Sequence, residues 1–116
     1  MPNPGVSKQG EIVLIPIPFT DLSAQKQRPV IVISNDTYQR KTQDIVVVAL
    51  TSNVSVTEYG FVITTKDLIQ GTLNRPSQVR VDKIYTLAQA IVIKTFGQVN
   101  GSVLARISQH LQALIK

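Results

Sequence analysis

The sequence has no cysteine, no tryptophan and a single histidine. Without thiols there is no disulfide, no thiolate nucleophile and no cysteine-built zinc site. With one imidazole, a histidine acid–base pair, a Ser-His-Asp triad and a His-rich metal centre all fall away. That residue, His110, stands between Gln109 and Gln112 in what reads as a helix, and a partly exposed helix side chain is its plain reading. The acidic residues are scattered, with no Asp-x-Asp pair to hold magnesium or calcium. No glycine-rich phosphate loop follows any strand. An enzyme with this inventory is expected to work with neither metal nor cofactor. No apolar run approaches the roughly 20 residues of a membrane span. Met1 to Gln9 is polar, broken by proline and glycine, and lacks the apolar centre of a signal peptide. A cytoplasmic protein is therefore expected, with residues 1–9 as a flexible lead-in and residues 10–116 as one domain, since 116 residues are too few for two cores.

What the chain does have is apolar residues, at 43%, and an excess of cations. Lysine and arginine outnumber aspartate and glutamate 12 to 7, for a net charge of +5. On a domain this small, such an excess favours a polyanionic partner such as nucleic acid.

Residues 10–34 set the plan. Two apolar strands, about Glu11 to Ile17 and about Pro29 to Ser34, flank a polar loop with Lys26 and Arg28 at its exit. Side chains two apart share a strand face. Val13, Ile15, Ile17 and Phe19 thus oppose Ile12, Leu14, Pro16 and Pro18, and neither face is plainly solvated. Pro16 and Pro18 cannot donate ladder hydrogen bonds, which puts this end at a sheet edge or a bulge. A cationic loop on such a rim offers a seat for an anion.

Farther on, Asn35 or Asp36 can cap a short helix. Ile45 to Leu50 reads as a buried central strand. Thr51 and Ser52 follow where that strand emerges, either as turn formers or as polar groups with a task. Val54 to Tyr59 is a loop or edge strand, Phe61 to Thr65 a strand, and Lys66 to Ile69 a helical turn before Gly71. Thr72 to Ser77 connects to a strand over Val79 to Ile84, where Arg80 and Asp82 share one face. They could hold a phosphate between them or form a surface ion pair. Ala90 to Ile93 is expected to be the last strand and Gly97 to Gly101 a turn. Leu104, Ile107, Leu111 and Leu114 give a helical stripe behind a Ser102 N-cap. Roughly five or six strands and one packed C-terminal helix predict an α+β domain on a small, strongly bent sheet or barrel. Strands apolar on both faces also suggest a second subunit.

The remaining chemical groups are Arg, Lys, Thr, Ser, Asp and backbone amides. They suit charge stabilisation at a pentacoordinate phosphate, where arginine offers a fixed fork of donors and threonine a further hydrogen bond. In RNA the nucleophile can be the substrate's own 2′-hydroxyl, so the protein need supply only a base, an acid and an anion clamp.

At these residues the sequence resembles the MazF/PemK/Kid family of toxin endoribonucleases. The likeness starts at Gly10-Glu11-Ile12-Val13 and passes through Pro18-Phe19-Thr20-Asp21-Leu22-Ser23 and Arg28-Pro29-Val30-Ile31-Val32. It continues through Ala49-Leu50-Thr51-Ser52, Ser77-Gln78-Val79-Arg80-Val81-Asp82-Lys83-Ile84, and the ending from Phe96-Gly97 to Leu114. The resemblance implies a small SH3-like barrel of about five to seven strands with a C-terminal amphipathic helix, acting as a homodimer. It further implies the toxin of a type II toxin–antitoxin system. Such a toxin cleaves single-stranded RNA, usually mRNA, at short motifs without a metal, leaving 2′,3′-cyclic phosphate and 5′-hydroxyl ends. A cognate antitoxin would block the groove with an extended, acidic C-terminal segment.

By the same resemblance Arg28 is the phosphate clamp and a possible proton donor. A guanidinium holds its proton too tightly to make a good general acid, so the clamp is the safer role. An ion pair at the sheet edge is its alternative. Thr51 would hydrogen-bond the scissile phosphate, and Arg80 with Asp82 match the acid and base proposed in the Kid branch. Thr20, Lys26, Ser52, Gln78 and Lys83 would contact RNA. Some members carry a histidine in the first loop; Ser23-Ala24-Gln25 stands there instead. The alternatives from other classes are a non-catalytic, gyrase-poisoning toxin of the CcdB type and an inactive small-barrel RNA-binding module.

Overall fold

The computed structural model describes residues 6–17, 26–55 and 57–116. In chain order it runs β1 (Glu11–Ile17), β2 (Lys26–Val32), α1 (Asp36–Lys41), β3 (Asp44–Thr51), β4 (Gly60–Ile63) and β5 (Leu68–Gly71). Then come β6 (Ser77–Ala88), β7 (Lys94–Val99) and α2 (Gly101–Leu114). The strands form one antiparallel seven-stranded sheet in the order β4-β6-β3-β2-β1-β7-β5, bent into an open half-barrel with α2 packed against it. This is the α+β, strongly bent architecture that the pattern predicts. No helix among the described residues is long and apolar enough to cross a membrane.

Both faces of β1, β2 and β3 are buried within the single chain. Ile12, Ile31, Val48 and Leu50 join Phe61, Ile63, Val79, Val81 and Val99 beneath Val103 and Ile107 of α2. Val13, Ile15, Val30, Val32, Ile45 and Val47 form a second core, covered by Tyr85, Leu87, Ile91 and Val92. The two-faced hydrophobicity therefore reflects a curled sheet with two cores, and does not by itself call for a second subunit. Burial of this kind contributes roughly 1.5–3 kcal/mol per large aliphatic side chain.

Several local expectations are corrected. Strand β2 begins at Lys26 rather than Pro29: Lys26, Gln27 and Arg28 pair with Ile17, Pro16 and Ile15, a backbone pairing to which hydropathy is blind. Arg28 thus belongs to a strand. Strand β1 is internal, yet its β7 ladder ends at Leu14, so Pro16 lies past that neighbour and its missing N–H breaks no bond there. The expected last strand at Ala90–Ile93 is instead a 3₁₀ turn over Gln89–Ile91. Buried Gln89 pins it, accepting from Ser7 N at 3.0 Å and donating to Gln39 O at 2.9 Å. The expected turn at Gly97–Gly101 is the end of β7 followed directly by α2. Gly97 sits opposite Gly71, whose φ is 85° and where a Cβ would meet the Phe96 carbonyl. Helix α2 is capped by Asn100, which accepts from Val103 N at 2.9 Å, and not by Ser102. The turn expected at Lys66–Ile69 is a 3₁₀ turn at Thr65–Asp67 that passes into β5. Residues 7–9, expected to be loose, are tied down: Gln9 N donates to Asp36 Oδ1 and its side chain to Ile33 O, both at 2.8 Å. The reading of the first loop, Pro18 to Gln25, and that of residues 1–5 lie outside the described residues.

The largest distortion is in β6. Val48 pairs with Ile84, but the next β3 residue, Ala49, pairs with Arg80. Val81, Asp82 and Lys83 are thus looped out of the ladder, and Val81 N bonds to Tyr59 O at 3.0 Å. Bulges bend a strand and re-aim its side chains, and they concentrate beside active sites.

Candidate active site

The β2–β3 ladder stops at Val30↔Ala49. Beyond it the strands part, and the gap is a cleft of about 330 Å³. Arg28 and Pro29 come from β2, Ala49 to Thr51 from β3, and Gln78, Arg80, Lys83 and Tyr85 from β6. Asn53, Ser55 and Thr57 close it from the β3–β4 loop. The ladder would have set Arg28 opposite Thr51 two steps farther on. The splayed ends leave both at the wall of an open hollow instead.

The side chains differ in freedom. Arg28 is exposed, and among the described residues it has no carboxylate partner. Thr51 is half-buried; its Oγ1 accepts from Asn53 N at 3.1 Å, leaving the hydroxyl hydrogen to donate elsewhere. Arg80 and Asp82 form a fork-to-fork pair, Nε to Oδ1 and Nη2 to Oδ2, both at 3.0 Å. Their side chains are 29% and 28% exposed, so the pair is neither sealed nor fully solvated. Accepting the guanidinium hydrogen bonds holds the Asp82 carboxyl below the ordinary carboxylate range, and the same bonds push Arg80 up. Two of the Arg80 nitrogens are committed to Asp82. Nη1 and the second Nη2 hydrogen remain for another anion.

Of the residues singled out from sequence, Arg28, Thr51, Gln78, Arg80 and Lys83 line this one cleft. Asp82 stands behind Arg80 through their ion pair rather than on the cleft wall. Ser52 lines a neighbouring cleft that also includes Arg28 and Thr51. Gln78 is buried and donates from Nε2 to Ser55 O at 2.6 Å, which ties down the loop after Thr51. Thr20 and the side chain of Lys26 lie outside the described residues. His110 is apart from the site: its Nδ1 lies 2.8 Å from Arg106 O and its ring 5.2 Å from that of Phe61, as suits a helix residue. Sequence reasoning missed Tyr85, and it singled out none of Asn53, Ser55 and Thr57 by residue, although the loop that carries them, around residues 52–59, is where it expects base readout. Tyr85 carries the one signal that could have found it, since it lies on the strand of Arg80 with only four residues between them.

What assembles is an anion seat of two guanidiniums, one ammonium and one hydroxyl, bordered by an aromatic ring and amide and hydroxyl groups. Among the described residues no group of His, Asp or Glu is placed to hold a metal ion. Geometry of this kind can bind a phosphodiester and stabilise negative charge that develops on it.

No curated protein matches the sequence significantly. The chain is similar in fold to a mycobacterial endoribonuclease solved in complex with its cognate antitoxin, at 19% identity and a TM-score of 0.77, with 94% of each chain covered. The crystal structure of MazE-MazF (Form-II) from Deinococcus radiodurans gives 20% identity and a TM-score of 0.74, with 95% of each chain covered. Toxin MazF-mt6 from Mycobacterium tuberculosis gives 17% and 0.72, covering 90% of this chain and 95% of that one. Residues 8–115 match the sequence profile of the PemK-like, MazF-like toxins of type II toxin-antitoxin systems. The match takes in both walls of the Arg28–Thr51 cleft, and the chain belongs to this PemK/MazF-like toxin family.

Proposed function

We propose that this toxin is a metal-independent endoribonuclease that cuts single-stranded RNA, mRNA in the cell, at a short sequence motif. The observation that carries it is the convergence of Arg28, Thr51 and Arg80, from three strands, on one open cleft. The solved endoribonuclease relatives agree with it. In the reaction the substrate's 2′-hydroxyl attacks the adjacent phosphorus. The 2′-oxygen–phosphorus bond forms, the bond from phosphorus to the 5′-oxygen breaks, and the 2′ proton leaves while the departing 5′-oxygen gains one. The products are a 2′,3′-cyclic phosphate and a 5′-hydroxyl.

Arg28 clamps the non-bridging oxygens as charge builds on them, and Thr51 donates a hydrogen bond to the same phosphate. Arg80 adds a second guanidinium. With its pKa raised it does not act as the acid, so its contribution is electrostatic. Asp82, with both oxygens taken up and its basicity lowered, orients Arg80 and is a weak base. Lys83 attracts the RNA backbone. Asn53, Ser55 and Thr57 offer hydrogen bonds to base edges, and Tyr85 offers a face for stacking. Two further proposals follow: the active form is a homodimer, and an antitoxin with an acidic C-terminal segment competes for the same cations.

The test is incubation with a long mixed RNA in EDTA, followed by mapping of the new 5′ ends. Discrete cuts bearing 5′-hydroxyls at a recurring motif are expected. Intact RNA overturns the proposal, and intact RNA with trapped DNA breaks in growth-arrested cells turns it toward a gyrase poison.

A further inference from the structure

The groove does not end at Thr51. A second hollow of about 480 Å³ shares Arg28, Pro29, Leu50 and Thr51 with the first and reaches Leu73, Asn74 and Arg75. A third, of about 400 Å³, shares those last three residues and reaches Lys66. The three form one path, and cations recur along it: Lys83 and Arg80 in the first hollow, Arg28 shared by the first two, Arg75 shared by the last two, and Lys66 in the third.

The far end is built on a stiff backbone. Thr65 Oγ1 donates to Leu73 O and accepts from Leu73 N, each at 2.8 Å. Ser77 Oγ donates to the Arg75 carbonyl at 3.4 Å. Pro76 has a fixed φ and restricts Arg75 before it. Both Arg75 and Lys66 are exposed, and among the described residues neither is in an ion pair. Asp67, beside Lys66, uses its carboxylate to accept from Thr64 N at 2.8 Å.

A polynucleotide carries a charge at every linkage, so a strand seated at Arg28 must leave the cleft with further phosphates on it. Cations spaced along the exit, with an apolar floor at Pro29 and Leu73 between them, suit the alternation of phosphate and base better than they suit an acidic peptide. We infer that Arg75 and Lys66 form an exit subsite that holds the phosphates of RNA nucleotides flanking the cleavage position. The inference takes its substrate from the nuclease reading, but its test needs no cleavage.

Binding of a single-stranded, all-2′-deoxy oligonucleotide is measured across a range of salt for the wild type and for Lys66→Ala/Arg75→Ala. The slope of log affinity against log salt should fall by about 1.4, roughly 0.7 for each lost phosphate contact. The charge-keeping pair Lys66→Arg/Arg75→Lys should restore it. An unchanged slope, or no binding by the wild type, overturns the subsite. So does a poly-glutamate peptide whose binding needs both residues while the oligonucleotide's does not, since that assigns the path to a protein partner. RNA left whole while the slope still falls would remove the nuclease reading alone. RNA cut while the slope stays put would remove the subsite alone.

Discussion

Arg28 and Thr51 stand at the parted ends of adjacent strands, and both border two neighbouring clefts. Neither is sealed beneath packed side chains, Arg28 being exposed and Thr51 half-buried. Had the β2–β3 ladder run two residues farther, cross-strand pairing would have filled the space between them. The end of pairing at Val30↔Ala49 makes the cleft.

The exposed position of Arg28 means that Arg28→Ala should fold normally. Cleavage of a labelled RNA should nevertheless fall on the order of 10²-fold or more, the usual cost of one donor lost from a preorganised anion site. Arg28→Lys should recover little of that, because an ammonium cannot present a planar fork to two phosphate oxygens. Single-turnover rates at saturating RNA check both, and an Arg28→Ala rate equal to wild type would remove Arg28 from the mechanism.

Thr51→Val keeps the shape and deletes the hydroxyl. The loss of one hydrogen bond to a charged phosphate, about 1.5–3 kcal/mol, corresponds to a rate slower by about 10- to 150-fold. Thr51→Ser should retain most of the activity, since it keeps both the donor and the acceptor that holds Asn53 N. A serine variant as slow as the valine one would point to the methyl group, and to packing, instead.

For Asp82 the folded-state pKa lies below the unfolded value near 3.9. The stability that it contributes is therefore complete above about pH 4 and is lost as pH falls through the lower, folded value. The thermal midpoints of the wild type and Asp82→Asn should differ by a constant amount at neutral pH and converge in acid. In the cleavage assay Asp82→Asn should slow the reaction by releasing Arg80 while leaving the shape of the wild-type pH–rate profile unchanged, including any acidic limb that it has. Disappearance of that limb would make Asp82 the base.

Gln78 offers a way to disturb the loop without touching the guanidiniums. Gln78→Met removes the bond to Ser55 O and should cost about 0.5–1.5 kcal/mol of stability. Amide exchange at Asn53 and Ser55 should accelerate, and KM for RNA should rise more than kcat falls. An unchanged exchange pattern would show that the loop holds itself, through contacts such as Ser55 Oγ to Asn53 Oδ1 at 2.6 Å.

The central strands were legible because their apolar runs are long for their element and rich in branched residues: β1 was bounded from Glu11 to Ile17, and β3 was foreseen to within a residue at each end. The errors fall where tertiary contacts outweigh local pattern. Ala90 to Ile93 looks like a strand by hydropathy, but buried Gln89 has two long-range hydrogen bonds that hold a turn. Gly97 looks like a turn former, yet its missing side chain serves the close approach of β5 to β7. Among the site residues, motif and chemistry pointed to Arg28, Thr51, Gln78, Arg80 and Lys83. Tyr85 and Arg75 were not foreseen, because nothing local distinguishes a tyrosine or arginine on a groove from one on any other surface.

By itself the sequence determined the chemical inventory: no thiol, one remote imidazole, scattered acids and a surplus of guanidinium and ammonium groups. It also determined the alternation that makes strands, since side-chain period and backbone propensity are properties of neighbours along the chain. Only the tertiary structure decided that Arg28 comes from a paired strand, that Asp82 is occupied by Arg80, and that the cationic cleft continues toward Lys66. Those outcomes depend on where ladders stop and on a looped-out segment in β6, and both are set by residues far apart in sequence whose pairing no local pattern records.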